Sequence, residues 1–334
     1  MTLIAPMGAF RHGGRLHEAM AAYPDAPRPW LDLSTGINPE PWPGPRAPAE
    51  ALRRLPDSAQ LTALEAVAAR AFRVDDPGRV VALPGAEAGL RLLPNLIGGG
   101  QTALVAPIYG GHAEAWEPRA ARRVHAAEDA GDADVLVLVN PNNPDGRRIE
   151  RDALVALITA RSARGRWTVV DESFVEVAPD LSVADLAIER LVVLRSFGKF
   201  YGLPGARLGF VITSNELARE IRVLLGDWPL SADALALGLA AYADDAWRAT
   251  IQARLAAQAE KLDALLTRAG LNVLGGSDLF RWVAAPDAHA LFSRLAEQGV
   301  LVRPFADRPD RLRFGLPSRR DFKRLRDVLE VVAP

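Results

Sequence analysis

The chain has 334 residues, too many for one small domain and too few for several large ones, so about two domains are expected. Its 40 basic and 41 acidic residues leave a net charge of -1, which excludes an electrostatic binder of nucleic acid or of membrane surfaces. There is no cysteine, so disulfides, thiolate catalysis and cysteine zinc sites are excluded, and only Lys199, Lys261 and Lys323 can do amine chemistry.

Hydrophobic residues make up 49% and charged residues 24%, the composition of a globular chain with a sizeable core. No run of about 18 uncharged apolar residues is present, so no membrane span is expected. The opening MTLIAPMGAFRHGG lacks a basic region followed by an apolar one, so no secretion signal is expected and the location reads as cytoplasmic. No metal site is expected.

Residues 23–48 hold eight prolines, which rule out a regular helix. They also hold Trp30, Leu31, Leu33 and Ile37, so an extended but packed arm is expected over about 1–45. Ser58 can cap a helix through about Phe72, with Leu61, Leu64, Ala68 and Phe72 on one face. Apolar runs follow at 79–83, 102–106, 134–139, 167–170, 191–195 and 208–212. Helical stretches separate most of them, at about 86–97, 110–117, 150–163 and 214–225. Continuous apolar strands alternating with helices imply an α/β domain over 46–230, a mostly parallel sheet with helices on both faces. After Pro229 comes a long helical region, about 231–269, then strands near 271–274 and 279–284. A helix near 287–297, strands near 300–303 and 311–314 and a last helix from about 318 complete a smaller α+β domain, 231–334.

Ligands of open parallel sheets bind beyond the carboxyl ends of the strands. Four strand ends here deliver polar or glycine-rich segments: Pro84–Gly89, Asn140–Gly146, Asp171–Phe174 and Ser196–Gly202. Lys199 sits among Phe197, Phe200 and Tyr201. Apolar surroundings lower a lysine pKa, and a neutral amine can form a Schiff base with a carbonyl. An isolated strand-end lysine would more often snorkel to solvent; its neighbours here argue otherwise.

SFGKFYGLPGARLG, with arginine eight residues after the lysine, resembles the cofactor-lysine motif of the fold-type I pyridoxal-phosphate aminotransferase superfamily. NPNNPDG resembles that superfamily's Asn-Pro-x-Gly loop, and VVDESF its cofactor-aspartate strand. The order and spacing match along essentially the whole chain. The resemblance implies pyridoxal 5'-phosphate as cofactor, with Lys199 carrying it covalently and Asp171 pairing with its pyridine nitrogen. It implies Asn143 on the phenolic oxygen and Tyr109 against the ring face. Gly85, Ala86 and Glu87 open a helix whose N–H groups would hold the phosphate together with Ser196 and Arg207. Glu87's own carboxylate must then turn away. Arg313, in RLRFGLP, would fork onto a substrate carboxylate, with Arg311 as a competitor on the same strand face.

One position departs from the pattern. Phe174 stands where many members carry tyrosine, which removes a hydrogen bond worth roughly 0.5–1.5 kcal/mol.

Arg11-His12-Gly13-Gly14 and Leu31–Pro39 resemble the threonine-phosphate decarboxylase branch of adenosylcobalamin biosynthesis. This implies decarboxylation of L-threonine O-3-phosphate to (R)-1-aminopropan-2-yl phosphate. His12, Ser34, Gly36 and Asn38 would contact the substrate, and a homodimer is expected by analogy. The alternatives are a histidinol-phosphate or related aminotransferase, and a catalytically silent member of the fold.

Overall fold

The computed structural model describes Phe10 and residues 12–333. Helix α1 (Leu16–Ala22) and strand β1 (Leu31–Asp32) come first. Then follow α2 (Ser58–Phe72), β2 (Val80–Leu83), α3 (Ala86–Ile97), β3 (Thr102–Val105), α4 (Gly110–Trp116), β4 (Arg122–Val124) and β5 (Val135–Val139). Next are α5 (Arg151–Ser162), β6 (Trp167–Asp171), β7 (Leu191–Ser196), α6 (Phe197–Phe200), β8 (Gly209–Ile212), α7 (Asn215–Leu225) and α8 (Ala232–Tyr242). The chain ends in α9 (Asp245–Arg268), β9 (Asn272–Ser277), β10 (Phe280–Ala284), α10 (Ala288–Glu297), β11 (Val300–Leu301), β12 (Arg303–Pro304), β13 (Arg311–Gly315) and α11 (Phe322–Val332). Among the described residues no helix is long and apolar enough to cross a membrane.

The chain divides into two compact units. The larger one comprises residues 41–143 and 147–250. Its seven-stranded sheet has the order β2-β8-β7-β6-β5-β3-β4. Strands β3 to β7 pair in parallel, whereas β8 runs antiparallel to both β7 and β2. The apolar run at 208–212 could not reveal that reversal, because burial on both faces reads the same in either direction. Every residue of β5, VLVLV, is buried. Leu83, Leu93, Leu104, Trp116, Val137 and Leu194 belong to one core cluster with it.

Both sheet edges are guarded. On β2 the outward Ala82 N–H donates to Glu65 Oε1 at 3.0 Å, and the Val80 carbonyl accepts from Arg222 at 2.7 Å. Glu65 and Arg222 are themselves paired at 2.9 Å. Burial pushes the Glu65 carboxyl up, against the pull of Ala82 and Arg222. At the opposite edge β4 is three residues long, with Arg122 and Arg123 exposed.

Two local expectations change. Asp57, not Ser58, caps α2: its extended backbone lets the carboxylate accept from Ala59 N at 2.8 Å, with the helix dipole in its favour. The helical region after Pro229 is two helices, broken at Asp244, whose carboxylate accepts from Trp247 N at 3.0 Å and so caps the second one. Helix α8 stays with the larger unit, so the division falls after residue 250 rather than 230. The reason is packing: the Tyr242 ring lies 5.2–5.7 Å from Phe72, Phe197 and Phe210.

The smaller unit comprises the described part of 1–40 with 144–146 and 251–333. Strands β12, β13, β10 and β9 form an antiparallel sheet in that order. The proline-rich arm is tied down by backbone bonds. Strand β1 pairs in parallel with β11, Leu33 N donates to Leu301 O at 2.7 Å, and Gly315 N donates to Leu33 O at 2.7 Å.

Candidate active site

In the larger unit the carboxyl ends of β2, β5, β6 and β7 open on a cavity of about 230 Å³. Gly85, Ala86, Glu87, Tyr109, Asn143, Asp171, Ser196, Lys199 and Arg207 all line it. Lys199 projects from the one-turn helix α6, directly after β7. Phe197 and Phe200 are buried beside it, and Tyr201 stacks between Phe197 and Trp247 at 4.6 and 5.5 Å. This aromatic stack fixes the backbone that carries the amine. The Lys199 Nζ lies 6.0 Å from the centroid of Phe174, so its surroundings are part apolar, part polar.

Asp171 ends β6 and is 4% exposed. His112 Nε2 lies 2.9 Å from Oδ2, while Ser173 donates to Oδ1 through N and Oγ at 2.9 and 2.5 Å. Burial is the largest single influence on this carboxyl and opposes its charge. The bonds from His112 and Ser173 together outweigh it and hold the carboxyl below the usual carboxylate range. An ionised carboxylate is therefore ready at the cavity floor. On the next residue Glu172 points elsewhere, accepting from Arg195 at 2.9 Å, Ser182 Oγ at 2.7 Å and Val183 N at 2.6 Å. Strand alternation separates the two acids, leaving Asp171 to the cavity and Glu172 to a buried ion pair.

The opposite side of the cavity suits an anion. Gly85 adopts φ +91° as the N-cap of twelve-residue α3. A Cβ there would lie 2.6 Å from the Arg207 guanidinium, so only glycine admits that cation over the helix N-terminus. Asn142 and Asn143 part company: Asn142 Nδ2 donates to the Pro107 carbonyl at 2.8 Å, holding the turn, and Asn143 faces the cavity. One amine, one ionised carboxylate, an amide, an aromatic face and an anion cup fit a flat heteroaromatic ring that bears a carbonyl and a phosphate. Phe174, only 2% exposed, offers that ring no hydroxyl.

The other expected residues gather in the smaller unit. Arg313, 3% exposed, donates to the Ser34 carbonyl at 3.0 Å and lies over the Phe280 ring at 5.0 Å. Ser34 Oγ donates to Asp32 at 2.6 Å and accepts from Gly14 N at 2.8 Å, which draws the loop after His12 onto it. Gly36 and Asn38 are buried in the same arm, and Asn38 Oδ1 accepts from Glu40 N at 2.8 Å. Arg311 is bonded to Asp310 at the surface, which separates it from Arg313. Arg11 lies outside the described residues.

Two residues escaped the sequence reading. His112 is fully buried against Asp171. Its signal was its place three residues after Tyr109, on the first turn of α4. Arg303 is 7% exposed and directly opposite Arg313 on paired strands β12 and β13. A charged residue inside the apolar run VLVRP was its only signal. Among the described residues no group of three or more histidines and acids could hold a metal.

Residues 38–331 match the family model described as aminotransferase class I and II. The chain is 38% identical over 317 residues to a threonine-phosphate decarboxylase of Pseudomonas aeruginosa, covering 92% of this chain and 93% of that one. It is 38% identical over 329 residues to a second, from a Sinorhizobium species, covering 95% and 97%. Its fold is similar to that of histidinol-phosphate aminotransferase from Sinorhizobium meliloti, solved in complex with pyridoxal-5'-phosphate. That likeness has a TM-score of 0.81 at 18% identity over 98% of both chains, and it speaks to fold alone.

Proposed function

From the premise that this chain belongs to the aminotransferase class I and II family, we propose that it binds pyridoxal 5'-phosphate and decarboxylates L-threonine O-3-phosphate. The products are (R)-1-aminopropan-2-yl phosphate and CO2, in the adenosylcobalamin pathway. The observation that carries the substrate is likeness over nine-tenths or more of both chains to two relatives bearing that activity's name.

The bound cofactor supplies an electron sink that weakens one bond at the substrate α-carbon. Lys199 would be its covalent attachment point. Asp171, kept ionised by His112 and Ser173, would pair with the pyridine nitrogen and keep it protonated. Asn143 would donate to the phenolic oxygen, and Tyr109 would cover the ring face. The N–H groups of Gly85, Ala86 and Glu87, with Ser196 and Arg207, would take the phosphate. Arg313 and Arg303, with His12, Ser34, Gly36 and Asn38, take the substrate's carboxylate and phosphate. Their task would be orientation, holding the substrate so that its carboxylate rather than its α-proton is presented for cleavage.

A cytoplasmic homodimer completes the reading. Five large apolar side chains of the larger unit, Leu52, Leu55, Val223, Leu224 and Trp228, are 57–82% exposed, and a partner surface would cover them. Sedimentation showing only monomer at micromolar concentration would reject the dimer.

The reaction is tested with the purified, cofactor-loaded protein and L-threonine O-3-phosphate in the absence of any 2-oxo acid. Release of CO2 is expected. Turnover only when 2-oxoglutarate is supplied would replace the decarboxylase with an aminotransferase.

A further inference from the structure

Glu87 contributes a backbone N–H to the anion cup, yet its side chain has a second set of partners that no part of the proposed chemistry uses. Its carboxylate Oε2 accepts from the Tyr109 hydroxyl at 3.3 Å. Its Oε1 accepts from Arg91 Nε, one turn along α3, at 2.8 Å. Arg91 then reaches Glu114 on α4 at 2.6 Å. The carboxylate is thus held at one oxygen by a cation and presents the other to a phenol.

Tyr109 is the residue from which α4 starts, so its Cα is fixed by the helix. A ring anchored only at Cα can still turn about its side-chain bonds. A second anchor at the hydroxyl removes that freedom and sets the tilt of the ring at the cavity wall. The neighbouring glycine permits this arrangement: a Cβ at Gly111 would lie 2.5 Å from the Tyr109 ring and 3.1 Å from Glu87 Oε2. Arg91 also answers an electrostatic problem. A bare carboxylate on the first turn of α3 would repel a phosphate in the cup, and the guanidinium, which Glu87 shares with Glu114, offsets part of that charge.

We propose that Glu87 is a positioning residue that acts through Tyr109, fixing the angle of the ring that covers the cofactor. The proposal rests on the cofactor reading above. It is tested on holoenzyme with Glu87→Ala, Tyr109→Phe, the double variant and Glu87→Gln. The readouts are the visible circular dichroism of the bound cofactor and its rate of dissociation. Each of Glu87→Ala and Tyr109→Phe is expected to weaken the dichroism and speed dissociation about 5-fold, the order expected for one hydrogen bond. The double variant should be no worse than either single one. Glu87→Gln, whose amide oxygen still accepts, should restore both readouts. Multiplying effects in the double variant, an unchanged Glu87→Ala, or a Glu87→Gln as impaired as Glu87→Ala would each overturn the proposal. Failure of the cofactor reading looks different: the wild-type protein would then have no visible band at all.

Discussion

The two units meet charge in opposite ways. In the larger one the cavity carboxylate is matched by its own chain, Asp171 by His112 and Ser173, before any ligand arrives. In the smaller one two buried arginines, Arg303 and Arg313, stand opposite each other on neighbouring strands. The first arrangement holds a carboxyl in its ionised state; the second sets two buried guanidiniums on facing strand positions. On the proposed function this contrast becomes a division of labour, with cofactor electronics assigned to one unit and substrate orientation to the other.

The largest test of that division is Lys199→Ala. It should abolish the borohydride-fixed cofactor adduct and lower turnover by at least about 10³-fold, as removal of a covalent catalytic group does. Adduct persisting on Lys261 or Lys323 would break the assignment. Asp171→Asn should come next, lowering kcat by about 10²-fold, the scale of losing one preorganised electrostatic partner. Its cofactor absorption should change with it.

Arg313→Ala should raise KM for threonine phosphate about 10- to 100-fold, as loss of a charge-assisted bond predicts, and leave cofactor absorption alone. Lost cofactor binding in this variant would erase the contrast between the units. Equal weakening in Arg303→Ala would sharpen it, by showing that both guanidiniums serve the substrate.

The smallest effect is on acid stability. The Asp171 pKa is depressed in the fold, so its contribution is present above the usual value of 3.8 and is lost as pH falls through the lower folded value. Urea denaturation of the cofactor-free protein should therefore show the gap between wild type and Asp171→Asn narrowing only below about pH 4. A gap that closes near neutrality would implicate another group.

Legibility in sequence followed the same divide. The larger unit's site is written in short contiguous pieces at strand ends, each beginning where an apolar run stops. Local chemistry was enough to draw attention to Lys199, and the family resemblance added Asp171 and Arg207; all three line one cavity. Local chemistry also misled: Ser58 and Asp57 are both capping residues, and only the extended backbone at 57 decides between them. Strand β4 escaped because RRV carries two exposed arginines and no apolar alternation. The smaller unit's cluster joins Ser34 to Arg313 across 279 positions, a contact that no periodicity announces. Residues 300–303 read as one strand but serve two sheets, β11 pairing with β1 and β12 with β13.

The guarded edges of the large sheet carry a consequence for life at high concentration. An open strand edge is an invitation to any passing chain, and a seven-stranded sheet has two of them. With Glu65 and Arg222 occupying the Ala82 N–H and Val80 carbonyl of β2, and β4 short and cationic, both edges are made poor templates for a stranger's strand. Self-association is left to side-chain surfaces, where it can be selective and reversible. Replacing Glu65 by alanine should then do more than loosen a helix: it should uncover the edge of β2 and raise light scattering during refolding.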